Sequence, residues 1–139
     1  MKAVKNGPYY QLRLAHGEEI QATLTGFVRS RRLKSGFVVG LGAAEDVLLG
    51  YFDFKKSAYR KRLFRGDYEL ASVTGNIAWD GNNPICHLHA VITGPKFAAF
   101  GGHLFSATVG ATCELSIIPG TRRLARQLDE LTGLKLLAL

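Results

Sequence analysis

The chain has 139 residues, 47% of them hydrophobic and 21% charged, which is the make-up of one ordinary globular domain spanning 1–139. No apolar run approaches the roughly 18 residues of a membrane span. The opening MKAVKNGPYYQLRL lacks the apolar core of about 7–15 residues that an export signal carries, so a cytoplasmic chain is expected. Lys and Arg outnumber Asp and Glu by 18 to 11, giving +7 with neutral histidines, a balance that attracts polyanions without sequence preference.

Cys86 and Cys113 each sit in an apolar run, and neither belongs to a C-x-x-C pair. They are expected as buried thiols of a reducing compartment, and a zinc-finger framework is excluded.

Along the chain, the turn signal Asn6-Gly7-Pro8 precedes an alternating first strand, Tyr9 to Ala15. A helix is expected from Glu18 to Lys34. Ile20, Leu24, Phe27 and Val28 fall on one face, with Glu18 and Glu19 in the first turn. Arg29, Arg31, Arg32 and Lys34 crowd its far end, and Gly36 follows as a stop. His16 lies where it would cap this helix. From Phe37 the period changes to short apolar or alternating runs: FVVGLG, DVLLGYFDF, YELASVTGNIAW, ICHLHAVIT and ATCELSIIP. Five or more successive strands with no long helix between them imply a mainly antiparallel sheet, and one helix on it makes the fold α+β. Phe54 to Arg65, rich in Lys and Arg, reads as an exposed loop or short helix. In the tail, Leu124, Leu128 and Leu131 predict a short C-terminal helix ended by Gly133, with Leu134 to Leu139 as a last strand or docking end.

Three of the four histidines fall within Cys86 to Leu104. On a strand, alternation puts His87 and His89 on one face and Cys86, Leu88, Ala90 and Ile92 on the other. The turn at Gly94-Pro95 returns the chain so that His103 can join the pair, and Gly101-Gly102 removes side-chain bulk for a close approach. Three imidazoles make the protein set of an open site for zinc, or for nickel, copper or iron, and the alternation excludes Cys86 from it. The competing reading is a set of histidines hydrogen-bonded to one another and to backbone carbonyls. Glu69, placed by alternation among apolar neighbours, is a candidate carboxylate behind a ligating imidazole, or a general base; an edge-strand Glu in solvent is the competing reading.

The segments Gly17 to Ile20 (GEEI), Gly66 to Gly75 (GDYELASVTG), His87 to His89 (HLH) and Gly101 to Leu104 (GGHL) together resemble the plants-and-prokaryotes conserved domain, over roughly Tyr9 to Ile118. The resemblance implies an α+β domain with a largely antiparallel sheet of about seven strands, a homotrimer, and a metal on His87, His89 and His103. Plant members carry AT-hooks that bind the DNA minor groove. This chain departs from them, since it has no Arg-Gly-Arg core; Arg65-Gly66-Asp67 is not one.

Three functional readings follow. The first is a trimeric metal-binding domain. The second is a DNA-binding module acting through a basic surface, with Arg31, Arg32, Lys55, Lys56, Lys61 and Arg62 as contacts. The third is a cupin-like metal enzyme, which ranks last because no carboxylate follows His89 before Glu114. No residue is assigned to catalysis.

Overall fold

The computed structural model describes residues 1–139. Eight strands and one helix follow one another along the chain: β1 (Lys2–Asn6), β2 (Tyr9–Ala15), α1 (Ile20–Ser30), β3 (Gly36–Asp53), β4 (Ala58–Asp80), β5 (Asn83–Thr93), β6 (Ala99–Pro119), β7 (Ala125–Leu128) and β8 (Lys135–Ala138). The α+β class stands, as does the near-antiparallel sheet. The strand count rises from about seven to eight, and the sheet is mixed, because β7 meets β4 in parallel at Trp79 and Ala125.

The short runs from Phe37 onward are longer strands than their glycines suggest. FVVGLG and DVLLGYFDF form one strand, β3, which bends at bulges between Gly40 and Gly42 and between Glu45 and Val47. At Gly40 the glycine permits close packing: a Cβ there would lie 2.2 Å from the Glu114 carbonyl oxygen on β6. Glycine here marks crowding and bending inside a strand, not its end.

Antiparallel ladders join β3 to β4, β4 to β5, β5 to β6, and β6 back to β3, so these four strands form a closed circuit. The β1–β2 hairpin extends it beyond β6. Inside lie Val38, Val47, Val73, Ile77, Leu88, Ile92, Leu104 and Leu115, all 0% exposed. Helix α1 adds Ile20, Leu24, Phe27 and Val28 to the same core, the face that its periodicity predicts.

The helix is shorter than Glu18 to Lys34. Glu19 caps it: its carboxylate accepts from the backbone N–H groups of Gln21 and Ala22, and also from Ala107 on β6. No acidic residue lies inside the first turn, and Arg29 alone is basic in the last. The chain turns at Arg32, whose φ is 51°, so Arg31, Arg32 and Lys34 lie beyond the helix and Gly36 opens β3. His16 is not a cap; its Nδ1 contacts the Gly110 carbonyl oxygen and ties the loop before α1 to β6.

Two further segments differ from expectation. Phe54 to Arg65 is neither loop nor helix beyond Ser57, since Ala58 onward is the first half of β4. The tail forms the β7–β8 hairpin in place of a C-terminal helix. The Trp79 N–H donates to the Leu124 carbonyl at 2.9 Å. Asp129 accepts from the Thr132 N–H and hydroxyl, which closes the turn. Pairing to an open strand edge here outweighs a weak helical leucine pattern, whose Leu128 and Leu131 remain exposed. No helix is long and apolar enough to cross a membrane.

Candidate metal centre

On β5 the alternation holds. Cys86, Leu88, Ala90 and Ile92 are buried, and His87 and His89 project from the outer face. The Gly94-Pro95 turn returns the chain, and His103 of β6 pairs directly with His89. The glycine before His103 is required for a close approach, though to a different neighbour than expected. A Cβ on Gly102 would lie 2.6 Å from the Gly50 carbonyl oxygen of β3, whereas one on Gly101 would meet β5 at ordinary contact distance, 3.4 Å. Gly102 therefore lets β6 press against β3 while presenting His103 to β5.

The three imidazoles converge. Ring centroids lie 5.3 Å apart for His87 and His89, 5.0 Å for His87 and His103, and 5.6 Å for His89 and His103. One nitrogen from each falls within 4.8 Å of the others. His103 is wedged between Tyr59 and Phe105, with centroids at 5.2 and 4.6 Å. His87 and His103 are half-buried and His89 is exposed at the rim.

The cluster fits a metal better than a hydrogen-bonded knot. The His103 Nδ1 is buried with no hydrogen-bond partner, which leaves a nitrogen whose desolvation nothing within the chain offsets. Burial, then the neighbouring His87, His89, Arg126 and Lys61, holds the His103 imidazole down at about 4. Burial, Arg126 and His89 lower that of His87 as well. Both rings are thus neutral at pH 7, the form that ligates. Zinc bound at about 2.0–2.1 Å by three such nitrogens keeps a fourth position free.

Four further residues reach the cluster that the sequence reading did not single out. Asn76 of β4 pairs with His87 in the ladder. Arg126 of β7 donates to the Asn76 side-chain oxygen at 2.8 Å and to the Lys135 carbonyl at 2.9 Å. Tyr59, Arg126 and Lys135 line a cleft of about 240 Å³ that opens onto His87 and His103. No spacing signal could have found Asn76 or Arg126, since register alone brings them in; Tyr59 was visible only as an aromatic within a basic stretch.

Glu69 lies elsewhere. It is exposed and pairs with Thr93, four residues along β5 from His89, about 13 Å at the strand rise. It borders a larger groove of about 840 Å³ with Glu45, Arg65 and Asp67. A bulge at Ala71 breaks the alternation that would have turned Glu69 and Val73 to the same face.

The six basic residues do not form one patch. Arg31 packs over the Phe27 ring at 5.8 Å, and Arg32 follows it beyond α1. Lys55 and Lys56 sit at the opposite end of β3, in a turn whose N–H groups donate to Asp53. Lys61 covers Phe105 at 3.9 Å, and Arg62 covers Phe64 at 4.6 Å on the other face of β4. Much of this charge is carried on stems that shield aromatic rings.

The Plants and Prokaryotes Conserved (PCC) domain matches residues 1–120. Among solved structures, a candidate DNA-binding protein from Ralstonia eutropha is 31% identical, covering 99% of this chain and 96% of that one, with a TM-score of 0.94. A candidate DNA-binding protein from Bacteroides thetaiotaomicron is 28% identical over 99% of this chain and 96% of that one, with a TM-score of 0.95. A metal-containing protein from Archaeoglobus fulgidus is 30% identical over 97% of this chain and 96% of that one, with a TM-score of 0.89. No match was found among curated proteins.

Proposed function

We propose, for a chain that belongs to the Plants and Prokaryotes Conserved (PCC) domain family, that it is a cytoplasmic homotrimeric metal-binding domain that holds zinc or another divalent transition metal on His87, His89 and His103. The observation that carries this reading is the convergence of three imidazole nitrogens within 4.8 Å, one of them buried with no partner. The metal-containing relative adds support. When bound, such an ion supplies a Lewis acid with a free position; Tyr59 and Phe105 hold the His103 ring in place for it.

An exposed apolar stripe supports the trimer. Phe37, Val39 and Leu41 on β3 and Ile118 on β6 are all exposed, and Phe37 pairs with both Ile118 and Asn76. The same row continues through the polar Asn76 of β4 to His87. Contiguous apolar surface of this kind marks an association face. The free, buried thiols of Cys86 and Cys113 suit a reducing compartment.

Metal analysis of the purified protein tests the reading. About one transition-metal ion per chain is expected, falling to near zero in His87→Ala. A metal-free wild-type protein that takes up no zinc on dialysis would end it. A second reading, DNA binding through the basic surface, draws on the net charge of +7 and on the two candidate DNA-binding relatives.

A further inference from the structure

Arg126 has no counter-ion. Its two terminal nitrogens donate to neutral acceptors, the Lys135 carbonyl and the Asn76 side-chain oxygen, and its Nε is buried without a partner. Neither of the chain's two salt bridges includes it: one joins the N-terminal amine to Glu18, and the other joins Lys135 to Asp80 at the rim of the same cleft. A half-buried guanidinium satisfied only by neutral groups sits in an unfavourable field, which an anion would relieve.

Arg126 borders the cleft of about 240 Å³ beside the histidines. At about 30 Å³ for each water-sized group, that is room for about eight of them. The cleft's lining combines polar groups, Tyr59, His87, His103 and Arg126 with the Asp80–Lys135 pair, and apolar ones, Ile85, Leu134 and Leu136. Asp80, the carboxylate in this lining, is already paired with Lys135. A planar two-oxygen anion matches the fork of a guanidinium, and the apolar groups call for a hydrocarbon body.

We propose that this cleft binds a small organic carboxylate, its oxygens shared between Arg126 and the histidines, its hydrocarbon body against Ile85, Leu134 and Leu136. The proposal names a ligand class for the free metal position and rests on the metal reading only at the histidines. Arg126 and the apolar lining are features of the chain itself.

Titration calorimetry with benzoate, hexanoate and inorganic phosphate tests it, on zinc-loaded and chelator-stripped full-length protein. Benzoate or hexanoate is expected to bind the loaded protein in the range of about 1 mM or tighter. Arg126→Gln should weaken that binding about tenfold or more while zinc uptake persists. Leu136→Trp, which leaves the guanidinium in place and fills the space beside the apolar lining, should block the carboxylates. If Arg126→Gln unpins the β7–β8 hairpin and melts early, the Leu136→Trp result decides. Three results overturn the proposal: no carboxylate binding up to about 10 mM, binding unchanged in Leu136→Trp, or phosphate binding as tightly as the carboxylates. Zinc uptake without carboxylate binding defeats this proposal alone. Arg126-dependent carboxylate binding in a protein that takes up no zinc defeats the metal reading alone.

Discussion

Removing the metal should lower the melting temperature by an amount that can be calculated. In a zinc tetrahedron with bonds of about 2.0–2.1 Å the nitrogens stand about 3.3 Å apart, so a cluster with nitrogens within 4.8 Å must contract by up to about 1.5 Å. His89 is exposed and can swing without disturbing the core, whereas His103 is held between Tyr59 and Phe105. Zinc at a hundred times its dissociation constant then stabilises the folded chain by about 2.7 kcal/mol. For 139 residues, an unfolding entropy of about 2.1 cal/mol/K per residue converts this to about 9 °C. Each further tenfold in free zinc adds about 1.4 kcal/mol, or about 5 °C. Thermal melts of chelator-stripped protein, with zinc added back in tenfold steps, read this slope directly. His87→Ala should flatten it to within about 2 °C over the series. A melting temperature that ignores zinc, or a His87→Ala protein that climbs as steeply as the wild type, would refute the reasoning.

Other expectations bear on the framework. Gly102→Ala pushes a methyl to 2.6 Å from the Gly50 carbonyl oxygen, a backbone atom fixed in the ladder; a loss of about 1–3 kcal/mol in denaturant melts is expected, and an unchanged midpoint would mean the β3–β6 contact is looser than described. Burial lifts the Cys86 thiol to about 11, and burial with Glu114 nearby lifts that of Cys113 to about 12. Both therefore stay protonated in the fold at pH 8, and iodoacetamide should label them slowly until denaturant is added. Because these values lie above the unfolded value of about 8.5, their contribution holds below about pH 8 and falls as pH rises toward 11–12, which pH-dependent melts can follow. If the basic surface binds duplex DNA, affinity should drop steeply between 50 and about 200 mM salt with little sequence preference; unchanged duplex mobility at low salt and excess protein removes the DNA reading.

The histidine strand was legible because its inner face is wholly apolar, so period-two alternation left only one orientation for His87 and His89. The helix face was legible for the same reason at period 3.6. Its ends were not, since Glu19 caps by reaching across to Ala107, a contact that no local pattern encodes. β1 left no trace because all five of its residues are exposed and only its pairing with β2 makes it a strand. Arg126 was hidden behind a helical leucine pattern in a tail whose conformation is decided by the free edge at Trp79. Glu69 failed as a partner for the histidines because register sets it opposite Thr93, four residues along β5 from His89, and pairing register is not written in one strand's own pattern.

The closed circuit of β3, β4, β5 and β6 has a consequence for the order of assembly. His89 and His103 are 14 positions apart and meet across a single hairpin. Gly50 and His103, which meet when the circuit shuts, are 53 positions apart. Bringing the second pair together costs about 1.2 kcal/mol more in loop entropy, and long-range ladders form late. The three nitrogens therefore come within reach of one another while β3 is still undocked. A metal captured then would set the twist of the β5–β6 hairpin before the remaining strands arrive, and the growing chain would carry its ion into the fold instead of acquiring it afterwards.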